Sequence, residues 1–330
     1  MHKYRGFHGL LAILLVISVS LAAHPTDKNS RTKNAPRSGA VLWTDPGDPS
    51  QFDFQYGVGG AERQPRPPFR FLNEDLSRST PKINVIDANG LKWNVKWGHE
   101  ARPSSFCTRL ISACGYFADT EYFIASGRID GARDLQRART RVASNGAFKN
   151  ARFQLRSDSP RYLDDEHWTF KKNPFVGTPE FQGLKILVLL LSNWDTRNSN
   201  FGIFSDDSTG QERFLYAHTD WGAALGNWGN GLTRSKGECK DFAKQTRRFV
   251  KGVRDDVVDF GFGGELEDIH VSDVRWLLQY LGKITDGQIR TGLLYSGESL
   301  EDADCYTTAL KQRIEQLQQV ATQSSTSAKQ

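Results

Sequence analysis

A chain of 330 residues with 43 Lys and Arg against 38 Asp and Glu carries a formal charge of +5, too mild to argue for nucleic acid as a partner. Its apolar share of 38% is ample for burying the core of one large domain or of two lobes. Neither CxxC nor HExxH occurs, and no spacing resembles a zinc site.

Residues 1–23 read as a cleaved export signal. Lys3 and Arg5 precede an apolar run over residues 10–19, too short for a comfortable membrane span, and Ser20-Leu21-Ala22 supplies the small residues a signal peptidase reads. Loss of those two cations leaves 43 − 38 − 2, a charge of +3. The expected destination is periplasmic or secreted, or membrane-anchored if the leader stays. Residues 24–44 are expected to be a disordered linker and residues 322–330 a disordered tail, because both are polar with little to bury. Frequent Gly and Pro between residues 45 and 68 predict irregular chain covering a surface.

From Phe69 the pattern changes to strands. "FRFL", "KINVID" and "LKWNVKW" alternate, and "DANG" between the last two holds the Asn-Gly pair that favours a tight hairpin. Leu91, Trp93, Val95 and Trp97 share one face, which puts Lys92, Asn94 and Lys96 on the other. A helix is expected over residues 103–114, with Pro103 in its first turn, an apolar stripe of Cys107, Leu110, Ile111 and Cys114, and Gly115 at its end. "EYFIAS" at 121–126 is a further strand, which completes a small mixed lobe over residues 45–126.

Residues 127–321 read as a second, mainly helical lobe. The acidic "YLDDEHW" at 162–168 is expected on a surface loop. Thr178 and Pro179 open a helix whose interior, "LKILVLLLS", is apolar nearly all round and belongs at the centre of that lobe. It ends in "NWDTRNSN", where a carboxylate and three amides occupy one short loop. "FGIF", the turn "SDDSTG" and "RFLYAHT" then form a hairpin leading into "DWG" at 220–222. The basic stretch at 234–254 is expected to be a helix with a solvated charged face and Phe242, Phe249 and Val250 on its apolar side. Ser272 is expected to cap one late helix, and Ser299 with Asp302 another running to about Val320. Four cysteines in an exported chain allow up to two disulfides. Cys107 with Cys114 is excluded, since seven residues of helix separate their backbones by roughly 10 Å.

A strand Lys, a helix, a buried helix, an Asp/Asn loop, a hairpin and an Asp-x-Gly follow one another in an informative order. Phosphoryl transfer from ATP needs a cation on the phosphates, a carboxylate near the attacking hydroxyl and oxygen ligands for Mg²⁺ or Mn²⁺. Lys96 suits the first, Asp195 the second, and Asn200 with Asp220 the third. Lys96 is preferred to Lys92 because it ends its strand. Asn193 and Asn198 are read as loop-stabilising, His218 as structural beside the site, and Trp194, Trp221 and Trp228 as core or rim.

"NWDTRNSN", a short hairpin and "HTDWG" resemble the catalytic and metal-binding loops of the atypical protein-kinase-like superfamily, which includes phosphatidylinositol kinases, HipA-type bacterial kinases and secretory-pathway kinases. With "PKINVIDANGLKWNVKWGHE" and "TRLISACGYFADTEYFI" added, residues 40–320 look like a family of exported bacterial kinase-like proteins. The resemblance implies an α+β, two-lobed protein-kinase-like fold with a small β-rich N-lobe and a mainly helical C-lobe. It further implies Asp195 as catalytic, Asn200 and Asp220 as metal ligands, and Lys96 on the ATP phosphates. "RSTPK" at 78–82, with Ser79 and Thr80, matches the phosphate-covering loop but lacks its glycines. Where such kinases carry a helix Glu that pairs with the strand Lys, this chain has Ser104 and Ser105. Glu100 is the nearer substitute and Glu121 the remoter one. Nucleotide is the implied partner, with an acceptor of protein, sugar or lipid nature and contact with a membrane surface left open. Two other functions fit the sequence: a non-catalytic pseudokinase-like binder of nucleotide or partner, and an exported carbohydrate-binding or hydrolytic protein.

Overall fold

The computed structural model describes residues 37–77, 80–157 and 159–323. The expected export signal, most of the expected linker and the tail from residue 324 lie outside them. Residues 37–44 are not free chain. Strand β1 (Ala40–Val41) runs parallel to residues 214 and 215, Arg37 pairs with Glu166 and lies over the Phe214 ring, and the Trp43 indole donates to the Cys114 carbonyl at 2.8 Å. Small polar residues misled the reading here, because backbone pairing and two aromatic contacts supply the order that composition lacks.

Strands β2 (Phe69–Glu74), β3 (Lys82–Ile86) and β4 (Lys92–Trp97) form as their alternation predicts. The Asp87 carboxylate builds the β3–β4 turn, accepting from the amides of Asn89 and Leu91 at 2.9 Å and from the Trp93 indole at 3.1 Å. Helix α1 (Ala101–Ala113) follows, then β5 (Glu121–Asp130) and β6 (Ala147–Arg156). The five strands β2 to β6 close a barrel in the order β2-β3-β4-β6-β5, filled by Ile83, Val85, Trp93, Val95 and Phe153. Residues 127–130 of β5 and all of β6 therefore belong to the barrel, so its strands run past residue 126. Lys149 and Asn150 interrupt the alternation of β6, yet the strand pairs on both sides, with β4 and β5.

Beyond the barrel, β7 (Arg161–His167) pairs antiparallel with β8 (Phe201–Asp206). The acidic segment is thus an edge strand and not a loop, which suits its charges. Between them α2 (Pro179–Leu190) starts at Thr178, whose hydroxyl accepts from the Phe181 amide at 3.2 Å. Residues 184–190 of α2 are fully buried except at Lys185, whose ammonium reaches the Glu267 carbonyl. Strand β9 (Arg213–His218) completes a four-stranded sheet, β1-β9-β8-β7.

The basic stretch breaks in two. Its first part is α3 (Cys239–Thr246), and Val250 opens the hairpin of β10 (Val250–Arg254) and β11 (Val257–Phe260), so Phe249 and Val250 leave the helix. Helices α4 (Val271–Leu281), α5 (Asp286–Tyr295) and α6 (Leu300–Thr322) finish the chain. His270, with Asp273, caps α4 in place of Ser272; Ser299 caps α6 as expected, accepting from the Asp302 amide at 3.0 Å. The buried apolar side chains form two main clusters, one inside the barrel and a larger one around α2.

Cys239 and Cys305 form a disulfide between α3 and α6, and Cys107 and Cys114 are free and buried. Closing a loop of 66 residues restricts the unfolded chain, so Cys239→Ser with Cys305→Ser is expected to cost about 2–4 kcal/mol of unfolding free energy in urea denaturation.

Candidate functional site

The C-terminal end of α2 delivers the Asp/Asn loop. Its last carbonyls lack intrahelical partners, and the buried guanidinium of Arg313 on α6 donates to Leu190 O at 2.8 Å and to Ser192 Oγ at 2.7 Å. Asn193, fully buried, folds back to the Val188 carbonyl and gives its side-chain amide to Asp220 O at 3.0 Å and His218 Nε2 at 3.4 Å. Asn200, also fully buried, donates from Nδ2 to Asp195 O at 2.9 Å, and its own carbonyl accepts from the Thr219 amide at 2.8 Å. The Asn193 side-chain amide, the Thr219 main-chain amide and His218 therefore stitch the loop to the end of β9, while Asn200 braces the loop internally, which brings Asp195, Asn200 and Asp220 into one neighbourhood. Asn193 earns a larger part than its expected loop role: it ties the loop to the Asp-x-Gly turn.

Both oxygens of Asp195 are engaged by Arg197, at 2.6 and 2.5 Å. Partial burial works against the ionised carboxylate, but Arg197 outweighs it and holds Asp195 below its ordinary range. Asp220 Oδ1 accepts from the Gly222 amide at 3.0 Å, and its charge also reaches Arg197 and His218. A Cβ on Gly222 would lie 2.7 Å from Cβ of Glu100 and 3.1 Å from Asp220 Oδ1. Only glycine lets the turn sit this close to the start of α1.

That close approach joins the barrel residues to the loop. Lys96, at the end of β4, pairs with Glu100 Oε2 at 2.6 Å, and Lys236 takes Glu100 Oε1 at 2.6 Å. Burial of Glu100 favours its neutral form, but the two ammonium groups prevail and hold it at about 2. Glu121 has a different partner, Arg152 at 3.0 Å, which also binds Ser104 Oγ at 2.9 Å. Lys92 is exposed, away from this cluster. Ser79 lies outside the described residues, and Thr80 is not in the cleft wall.

A cleft of about 810 Å³ is walled by Glu100, Trp194, Asp195, Arg197, Lys236 and Glu265, while Lys96, Asn200 and Asp220 lie behind that wall and do not line it. Trp194 is a rim residue under the Arg234 guanidinium, Trp221 is core, and Trp228 is half-buried against Phe262. Among the described residues no three His, Cys, Asp or Glu side chains meet as a ready-made metal cage. Asn200 and Asp220 offer one amide oxygen and one carboxylate. That hard-oxygen pair suits Mg²⁺ or Mn²⁺ shared with phosphate oxygens, the usual arrangement when the protein does not supply a full shell. Lys236, Arg197 and Gly222 were not legible as site residues: Lys236 sits in a basic stretch of ordinary surface composition, and the tight contact of Gly222 exists only in three dimensions.

The chain matches no described protein family and no curated protein. Among solved structures it is similar to the crystal structure of a Helicobacter pylori proinflammatory kinase, CtkA, with a TM-score of 0.48 and 12% identity over 77% of this chain and 96% of that one. It is similar also to the Golgi casein kinase, with a TM-score of 0.36 and 12% identity over 78% of this chain and 72% of that one. The same kinase with Mn/ADP bound gives a TM-score of 0.34 and 10% identity over 78% and 72%. Likenesses of this size carry no inference about the present chain.

His218 is buried against Phe201 and Trp221, and burial lowers it from 6.5 to about 4 against the pull of Asp220 and Asp195. The folded chain holds the neutral ring while the unfolded chain takes up a proton below 6.5, so this contribution to stability is complete above 6.5 and lost as pH falls toward 4. Thermal unfolding across that window is expected to show a shallower pH dependence in His218→Phe than in the wild type.

Proposed function

We propose that this chain is an ATP-dependent phosphotransferase with the two-lobed architecture of a protein kinase, the β-barrel forming the smaller lobe. The observation that carries the reading is the ion pair of Lys96 on a strand end with Glu100 at a helix start, packed directly against the Asp220–Gly222 turn. Glu100 supplies from the N-cap of α1 the carboxylate that Ser104 and Ser105 lack. Lys96 would neutralise charge on the nucleotide phosphates. Asn200 and Asp220 would hold Mg²⁺ or Mn²⁺, which neutralises phosphate charge when bound. The acceptor hydroxyl oxygen forms a bond to the γ-phosphorus, the bond from that phosphorus to the bridging oxygen breaks, ADP leaves, and the hydroxyl proton passes to Asp195. For that, the hydroxyl must reach a carboxylate oxygen of Asp195 beside the two Arg197 contacts.

The test is a thermal-shift titration with ATP, with and without Mg²⁺ or Mn²⁺, followed by turnover of ATP. Asp195→Ala is expected to keep most of the nucleotide stabilisation and lose turnover by about a hundredfold or more. Asp220→Ala is expected to lose the metal-dependent part of the shift. Unchanged turnover in both variants would eliminate the assignment.

The two-pronged grip of Arg197 on Asp195 favours a second reading, a nucleotide binder that does not transfer phosphate. Arg197→Ala separates the two: turnover appearing or rising marks a restrained transferase, whereas nucleotide stabilisation with no turnover in either form marks the binder. Export is proposed as well, supported by the Cys239–Cys305 bond, which persists in oxidising compartments. No helix among the described residues is long and apolar enough to cross a membrane.

A further inference from the structure

On the other side of the first turn of α1 lies a second cavity, of about 880 Å³, that the chemistry above does not use. Its wall has an apolar part, from the half-buried Phe123 and the exposed Ala143 and Ala147 with Pro103 and Phe148 buried behind, and a cationic part, from Arg102, Arg139, Arg141 and Lys149. Arg139, Arg141 and Lys149 are exposed at the wall, and among the described residues none of the three has a carboxylate partner. Unpaired cations gathered around a concave apolar surface raise the local concentration of anions.

Glu298 is the one carboxylate in the wall. Its side chain is only 4% exposed, and its ion-pair partner, Arg102, stands off at 3.7 Å, beyond hydrogen-bonding distance. Burial pushes this carboxyl up to about 7, with Arg102 pulling the other way. A buried acid in that range can donate a hydrogen bond into the cavity, which a fully ionised carboxylate cannot.

We infer that this cavity binds an organic anion, with a small apolar body against Phe123, Ala143 and Ala147 and an oxyanion on Arg139, Arg141 and Lys149. Inorganic anions would satisfy the cations and leave the apolar part of the wall wet. Neutral apolar ligands would fill the wall and leave the cations unused. The volume lies in the range of small-molecule sites, and the low overall charge gives no support to a polyanionic nucleic acid.

The test uses the full chain and two fluorescent probes of like shape: anilinonaphthalene sulfonate, which is anionic, and phenylnaphthylamine, which is neutral. Saturable one-site binding of the sulfonate to the wild type is expected. Arg139→Glu with Arg141→Glu and Lys149→Glu should weaken it by about tenfold or more while changing the neutral probe by less than about twofold. Ser126→Trp, at an exposed wall position on β5, should fill the space and weaken both probes. Equal sulfonate affinity in the wild type and the charge-reversed variant would overturn the inference, as would Ser126→Trp leaving both probes unaffected or sulfonate binding that does not saturate. The charge reversals lie on the surface, so they decide the matter even where the tryptophan variant fails to fold.

Discussion

The site hangs on a buried guanidinium. Arg313 is fully buried and has no carboxylate partner among the described residues; main-chain carbonyls, two hydroxyls and the ring of Phe242 surround it instead. Helix α2 ends inside the protein, where its unpaired carbonyls would otherwise be costly, and the cation from α6 satisfies them while complementing the negative end of the helix dipole. Everything from Ser192 to Asn200 begins at that fixed point. A helix end held this firmly lets a short loop carry functional side chains without drifting, which a loop between mobile elements could not do.

From there the arrangement is one of shared and contested charges. Glu100 is divided between Lys96 and Lys236, so its carboxylate is held strongly but serves two elements at once. Arg197 occupies Asp195, Arg152 occupies Glu121, and the amide of Asn200 secures the backbone of Asp195 while its oxygen accepts from Ser199 Oγ at 3.5 Å. Phosphate groups entering such a cleft meet cations that already have partners. Binding would exchange one set of ion pairs for another, so its net strength depends on differences between similar interactions and not on the number of charges.

Much of this was visible in the order of residues. The alternation in β3 and β4, the Asn-Gly turn, the all-round apolar α2 and the dense polar loop after it are local patterns, and local patterns survive in a single sequence. The positions of Lys96, Glu100, Asp195, Asn200 and Asp220 along that order followed from them. Long-range partnership was not visible. Strand β6 goes unrecognised in the sequence, where Lys149 and Asn150 interrupt its alternation, and its place between β4 and β5 is decided by pairing. Strand β7 looks like an acidic loop because an edge strand can keep its charges in water. The basic stretch divides after α3 because Phe249 packs with Phe260 and Phe262, contacts made only once the hairpin has folded. Nothing in the local pattern around Lys236 announces that it meets Glu100, 136 residues away.

The first turn of α1 and the segment ending at Gly237 form a partition. Glu100 and Lys236 look into the cleft, while His99, Arg102 and Gly237 look into the chamber behind, so the septum is one layer of chain thick. A Cβ on Gly237 would come within 3.1 Å of Pro103 and 3.2 Å of the His99 carbonyl, which leaves no room to thicken it. Its two strips are joined by the Glu100 carboxylate and the Lys236 ammonium at 2.6 Å, so a change at that one ion pair would bear on the walls of both cavities.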